Sequence, residues 1–140
     1  MSATLELLDK EDVKILWSIL KPYFQSATDR CHTGFDVEKI RELALADKRL
    51  IWTVMDGNRL LAVLSSGTAK MPDGGMIAYI DWLGGEDLDD WLEDKIADFE
   101  ARSKDAGATA IEIDEGRLGW FRKLRGCGYR PVRYTLRKAL

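Results

Sequence analysis

Apolar and polar positions along the 140-residue chain alternate at two periods. Thr4–Leu8 alternates at the period of a strand. Asp9 follows as a helix N-cap, with Asp12 at the third helical position. Val13, Leu16, Trp17 and Leu20 then fall on one face, which predicts a helix ending near Phe24, with Pro22 kinking its last turn. Gln25–Gly34 is polar and reads as a loop. Asp36 caps a second helix over Val37–Ala46, with Ile40, Leu43 and Leu45 turned inward. Leu50–Met55 and Leu60–Ala69 are β-rich and flank Asp56-Gly57-Asn58, a hairpin signal. Met76–Leu83 is nearly all apolar, as a strand covered on both faces would be. Leu88–Ala106 carries the stripe Leu88, Trp91, Leu92, Ile96 and Phe99, and Gly107 suits the C-terminal cap. Thr109–Asp114 reads as a short strand, Gly116–Arg125 as a short basic helix or turn, and Tyr129–Lys138 as a strand near an edge because of Pro131.

The order β-α-α-β-β-β-α-β-α-β predicts one domain over residues 1–140. Its class is α+β, a three-layer arrangement with a mixed, mostly antiparallel sheet and helices on both faces. The long helix crosses between two parallel strands.

The stretch Ala78–Lys95 joins a buried strand, Gly84-Gly85 as a turn, and the acidic start of a helix. A helix start offers unpaired N–H groups and the positive end of a dipole, so it favours anions. Here Glu86, Asp87, Asp89 and Asp90 crowd it and would repel a diphosphate. The charge distribution is uneven: Gly84–Glu115 holds 12 acids and 3 bases, and Gly116–Leu140 holds 8 bases and no acid. Two halves so charged either pair across the fold or leave a basic face for an acidic protein. The net charge of −3 argues against nonspecific nucleic-acid binding. No apolar run reaches the ~20 residues of a membrane span, and Met1–Asp12 lacks a signal-peptide layout. The expected location is the cytoplasm. Cys31 and Cys127 are expected as thiols in a reducing compartment. One histidine, His32, and no ligand spacing leave no metal site.

Little else carries chemistry. Cys31-His32 lacks a third orienting group. Trp17, Trp52, Trp82 and Trp91 sit at core positions, and Tyr79 reads as strand packing. Trp120 lies in the basic segment, where it either anchors the helix or joins a contact surface with Arg117 and Arg122. Asp81 is the one acid on the apolar strand, the place for a general base or for a backbone hydrogen bond.

The closing sequence resembles the GNAT N-acetyltransferase fold, and within it the short GNAT-like proteins of tailed phages and prophages. The matching residues are Gly116, Arg117, Gly119, Trp120, Gly128, Tyr129 and Lys138. The resemblance implies an acyl-CoA held between two splayed strands, with its pyrophosphate on an Arg/Gln-x-x-Gly-x-Gly/Ala loop. The corresponding residues here read Gly-Gly-Glu-Asp. Leu124 stands where such enzymes often carry a proton-donating tyrosine. The expectation is therefore a divergent phage-type protein that lacks the usual acetyl-CoA loop, needs no cofactor, and acts through protein contacts in a virion or on a host factor in the host cytoplasm. Arg117, Trp120, Arg122 and Arg125 would make that contact. The alternatives are an active N-acetyltransferase and a small-molecule binding module. In the active case Asp81 serves as base, and Leu83, Gly84, Gly85 and Arg117 hold acetyl-CoA or another acyl-CoA.

Overall fold

The computed structural model describes residues 3–31, 33–114 and 122–140. Among the described residues five strands form one sheet: β1 (Ala3–Leu8), β2 (Leu50–Asp56), β3 (Arg59–Lys70), β4 (Met76–Gly85) and β5 (Ala110–Ile113). They stand in the sheet in chain order, antiparallel through β4, with β5 parallel to β4. Helices α1 (Lys10–Arg30) and α2 (Glu38–Leu45) cover one face, and α3 (Leu88–Asp105) covers the other. Three layers thus enclose two cores, as the sequence pattern predicts. Among the α3 residues, Trp91, Leu92, Ile96 and Phe99 pack with Trp52, Val54 and Ile80. On the opposite face Val13, Trp17, Leu20 and Phe24 pack with Ile40, Ile51 and Trp82.

Capping follows the sequence at α1. The Asp9 carboxylate accepts from the Asp12 N–H at 2.8 Å; at α2 the N-cap position falls to Val37, which offers no side-chain cap, and the Asp36 carboxylate one residue earlier accepts from the Glu38 N–H at 3.0 Å. In and before α2 the buried residues are Val37, Ile40 and Ala44, while Leu43 and Leu45 are half-buried.

Three expectations need correction. First, α1 does not end near Phe24 but runs through Pro22 to Arg30. Proline removes one helical hydrogen bond, yet Phe24, Ala27 and Thr28 extend the buried stripe, and that packing holds the last turns. The polar residues among 25–30 hide those buried positions. Second, Gly84 and Gly85 are the end of β4, not a turn. Third, Tyr129–Lys138 is not a strand; residues 129–140 carry no regular secondary structure. Of the short basic helix, Arg122–Leu124 is helical and Arg125–Cys127 forms a 3-10 turn; Gly116–Phe121 lie outside the described residues.

Residues 129–140 begin at an anchor. The Tyr129 hydroxyl donates to a Glu100 carboxylate oxygen on α3 at 2.5 Å. Burial first, then that hydrogen bond and the nearby charge of Glu100, push the phenol well above its ordinary value. The folded state keeps a proton that the unfolded chain releases near pH ~10. The contribution is therefore whole below about pH 10 and is lost as the pH rises beyond it. Urea denaturation across that range should show wild type losing stability faster than Tyr129→Phe. Parallel pH profiles would contradict the assignment.

Candidate functional site

The site is built around the far end of β4. Its pairing with β5 runs from Ile77↔Ala110 to Ile80↔Ile113, and one further bond joins the Asp114 N–H to the Ile80 carbonyl at 2.7 Å. β4 then continues through Asp81–Gly85, paired only with β3 among the described residues. Among the described residues the parallel pairing stops here, and this stretch of β4 leads into α3.

Close packing fixes both glycines there. A Cβ on Gly84 would lie 2.0 Å from the Tyr23 carbonyl oxygen of α1. A Cβ on Gly85 would lie 2.4 Å from Ala62 Cβ and 2.5 Å from the Leu61 carbonyl oxygen. They let α1 and β3 approach the β4 backbone. Beside them an open recess of about 290 Å³ is lined by Pro22, Tyr23, Ser26, Gly85 and Glu86. Leu83 is buried in the core on the α3 side.

Only Glu86 and Asp87 join β4 to α3. The Glu86 N–H donates to the Leu61 carbonyl at 3.0 Å, and the Glu86 carbonyl accepts from the Trp91 indole at 2.8 Å. Arg59 donates to both acids, at 3.2 Å to Glu86 and 3.1 Å to Asp87. The hydrogen bond that Arg59 donates to Glu86 is the main cause holding its guanidinium above its ordinary value. Asp87 takes a left-handed conformation, φ +58°, which a non-glycine residue adopts at a cost of about 1–2 kcal/mol. Its side chain does not cap α3. The acids at this helix start thus do less for the helix itself than their sequence suggests: two are tied to Arg59 and Asp89 is paired with Lys123.

Asp81 pairs with Arg49, whose Nε donates to Oδ2 at 2.8 Å. The guanidinium lies 5.1 Å from the centre of the Tyr79 ring, and that ring in turn covers Gly67. The second oxygen, Oδ1, is buried and accepts no hydrogen bond among the described residues. A general base needs a route for its proton; here one oxygen is committed to Arg49 and the other is closed off from solvent. Sequence reasoning singled out Asp81 but missed Arg49, 32 positions away. It likewise missed Arg59. Neither residue belongs to a local pattern, so only the sheet reveals the pairing.

The four residues expected to contact a partner divide in two. Arg117 and Trp120 lie outside the described residues. Arg122 and Arg125 are exposed and make no ion pair among the described residues. The expected pairing of the basic segment with α3 is met by Lys123 with Asp89, whereas Arg133 turns to Glu112 on β5. Trp17, Trp52, Trp82 and Trp91 are all buried, and Cys31 and Cys127 are not joined in a disulfide. No three acidic, histidine or cysteine side chains gather as metal ligands among the described residues. No described helix is long and apolar enough to cross a membrane.

Solved structures share this arrangement over their whole length. An aminoglycoside acetyltransferase from an uncultured soil metagenomic sample superposes with a TM-score of 0.73 at 16% identity, covering 100% of this chain and 99% of that one. The chain has the GNAT fold. A ribosomal-protein-alanine N-acetyltransferase from Brucella melitensis biovar Abortus matches the GNAT-fold chain with a TM-score of 0.69 at 14% identity, covering 99% and 100%. A predicted acetyltransferase with acetyl-CoA from Clostridium acetobutylicum gives 0.68 at 14%, covering 99% and 96%. No protein-family model matches the sequence, and no curated protein does.

Proposed function

We propose that this GNAT-fold, N-acyltransferase-like protein acts by contacting another protein and does not hold an acyl-CoA in the usual manner. The observation that carries the reading is the join between β4 and α3. It is two residues long, both are acids held by Arg59, and the Glu86 N–H is already given to Leu61. A diphosphate would meet two carboxylates there and no wrapping loop. The closed, paired state of Asp81 supports the same reading. The contact is an acidic protein surface met by Arg122 and Arg125, with Arg117 and Trp120 nearby in sequence. The resemblance to short phage-type proteins makes a virion or host protein the partner of choice.

Acetyl-CoA at millimolar concentration should leave the melting temperature unchanged. A ligand at 100 times its dissociation constant adds about 2.7 kcal/mol, roughly 8–10 °C for a domain this size. A rise of that size, absent with plain phosphate, overturns the reading. Arg122→Glu combined with Arg125→Glu should fold normally and lose the acidic partner recovered by wild type from the native source. Unchanged recovery at low and physiological salt reduces the patch to a solvated face.

A second reading, an active acyltransferase with atypical cofactor binding, is favoured by one set of facts. Among the described residues the β4–β5 pairing ends at Ile80↔Ile113, the first turn of α3 has no side-chain cap, and Arg59 and Lys123 lie at its acids. Phosphates would have to displace Glu86, Asp87 and Asp89 from those bases. The thermal shift decides between the two readings.

A further inference from the structure

Three buried side-chain oxygens make no hydrogen bond among the described residues: Thr33 Oγ1, Ser65 Oγ and Asp81 Oδ1. They belong to one neighbourhood. Ser65 is the cross-strand partner of Trp82 and Ser66 that of Ile80, so Asp81 is the extra residue of a β-bulge immediately before Trp82. Thr33 stands close in sequence to Phe35, whose ring lies 4.9 Å from the Trp82 ring. All three oxygens therefore lie about the place where the join between α1 and α2 rests on β4. A buried polar atom without a partner opposes the packing that buries it. Three together point to contacts made elsewhere that hold the join down.

Such contacts come from the far end of the chain. Tyr129 fixes the root of the C-terminal segment on Glu100 of α3. Arg133 donates to one oxygen of Glu112 on β5 through both terminal nitrogens, at 2.8 and 2.7 Å. Arg137 donates to the Thr33 carbonyl at 3.2 Å. The segment thus starts on α3, passes β5 and ends on the α1–α2 join. From Arg130 onward it takes part in no backbone hydrogen bond among the described residues, so its side chains are what tie it down.

We propose that this segment is a clasp that keeps the α1–α2 join closed over Asp81. Arg137 is the catch, and Arg133 holds it within reach of Thr33. When the catch lets go, Thr33–Phe35 lift from Trp82 and the three oxygens meet water. Gly34 supplies the pivot: it takes φ +73°, and nothing lies within 4 Å of an added Cβ. Asp81 keeps its ion pair with Arg49 through Oδ2. Its Oδ1 gains the route to solvent that a proton acceptor needs and that the closed form denies it. A carboxylate on the strand leading into α3 is thereby switched between sealed and accessible. The contact lies within one chain and needs no partner protein.

Thiol labelling tests the clasp, in a full chain carrying Cys31→Ser and Cys127→Ser. Ser65→Cys places a thiol at a fully buried position beside Trp82. Ser66→Cys places another in the core on the α3 side, where the Ser66 hydroxyl accepts from the Trp52 indole at 2.8 Å. With the clasp intact both should react slowly with N-ethylmaleimide. Arg133→Ala combined with Arg137→Ala should fold, since both arginines are exposed. It should speed labelling of Ser65→Cys by about tenfold or more, the scale of one charge-assisted hydrogen bond, and leave Ser66→Cys unchanged.

Thr33→Cys supplies a second thiol under the same join and should respond as Ser65→Cys does; it carries the comparison if Ser65→Cys fails to fold. Labelling that the two arginine substitutions leave unchanged beneath the join overturns the proposal. So does equal acceleration at Ser65→Cys and Ser66→Cys, because that would be a loosening of the whole fold and not the release of one join.

Discussion

Replacing Gly84 by alanine should destabilise the fold by about 3 kcal/mol, at the upper end of ordinary overpacking. The added methyl would sit 2.0 Å from the Tyr23 carbonyl oxygen. That oxygen belongs to the backbone of α1, so relief requires moving the helix and not merely a rotamer. Gly85→Ala should behave similarly, since its methyl meets Ala62 and the Leu61 carbonyl. Gly126→Ala is the control: nothing lies within 4 Å of the added carbon, and stability should change by less than about 0.5 kcal/mol. Urea unfolding of the three variants measures this. If Gly84→Ala were as stable as the control, the glycine would not be there for packing. Its presence beside a helix start would then again need a ligand to explain it.

Phe24→Ala should cost more, about 3–5 kcal/mol. Phe24 is fully buried and stacks on Trp17, with ring centres 5.9 Å apart. It lies just beyond Pro22, in the part of α1 whose helical bonding is weakened by the proline. Truncation should therefore also loosen the turns from Gln25 to Arg30. Circular dichroism of the folded variant would show some loss of helix, and chemical denaturation would give the energy. Ile15→Ala on the outward face of the same helix should be nearly neutral, because Ile15 is 73% exposed. Equal effects at Phe24 and Ile15 would contradict the burial described for α1.

What could be seen in the sequence was set by how local the cause is. The capping of α1 by Asp9 and the stripe of α3 depend on residues three or four positions apart, and both were legible. The hairpin at Gly57 was legible because its turn needs a positive φ, +59° here, and glycine supplies it. The far end of α1 was not legible. Proline and a polar run argue for a loop, and only the sheet beneath Phe24, Ala27 and Thr28 overrules them. The role of Gly84 was hidden for the same reason. In sequence it stands before an acidic helix start and looks like a turn, whereas its neighbour is a carbonyl 61 positions earlier. The segment Tyr129–Lys138 was misread in the opposite sense: alternation suggests a strand, but a strand requires a partner edge, and alternation does not provide one. At the candidate site, Asp81 could be singled out as a lone acid in apolar surroundings. Its closure could not, since Arg49 reaches it from before another strand.

Because the five strands stand in the sheet in the order they occur in the chain, the search for partners during folding is short. β2, β3 and β4 can zip as successive hairpins, each closing a small loop before the next forms. Loop-closure entropy grows only slowly with length, but it must be met before distant contacts reward it. Two joins then carry most of that cost: β1 to β2 across both covering helices, and β4 to β5 across α3. The last of these secures only four residues of strand. The meander can therefore serve as a nucleus onto which β1 and β5 are added late, and the margin of the sheet beside β5 is the part whose backbone amides open most readily.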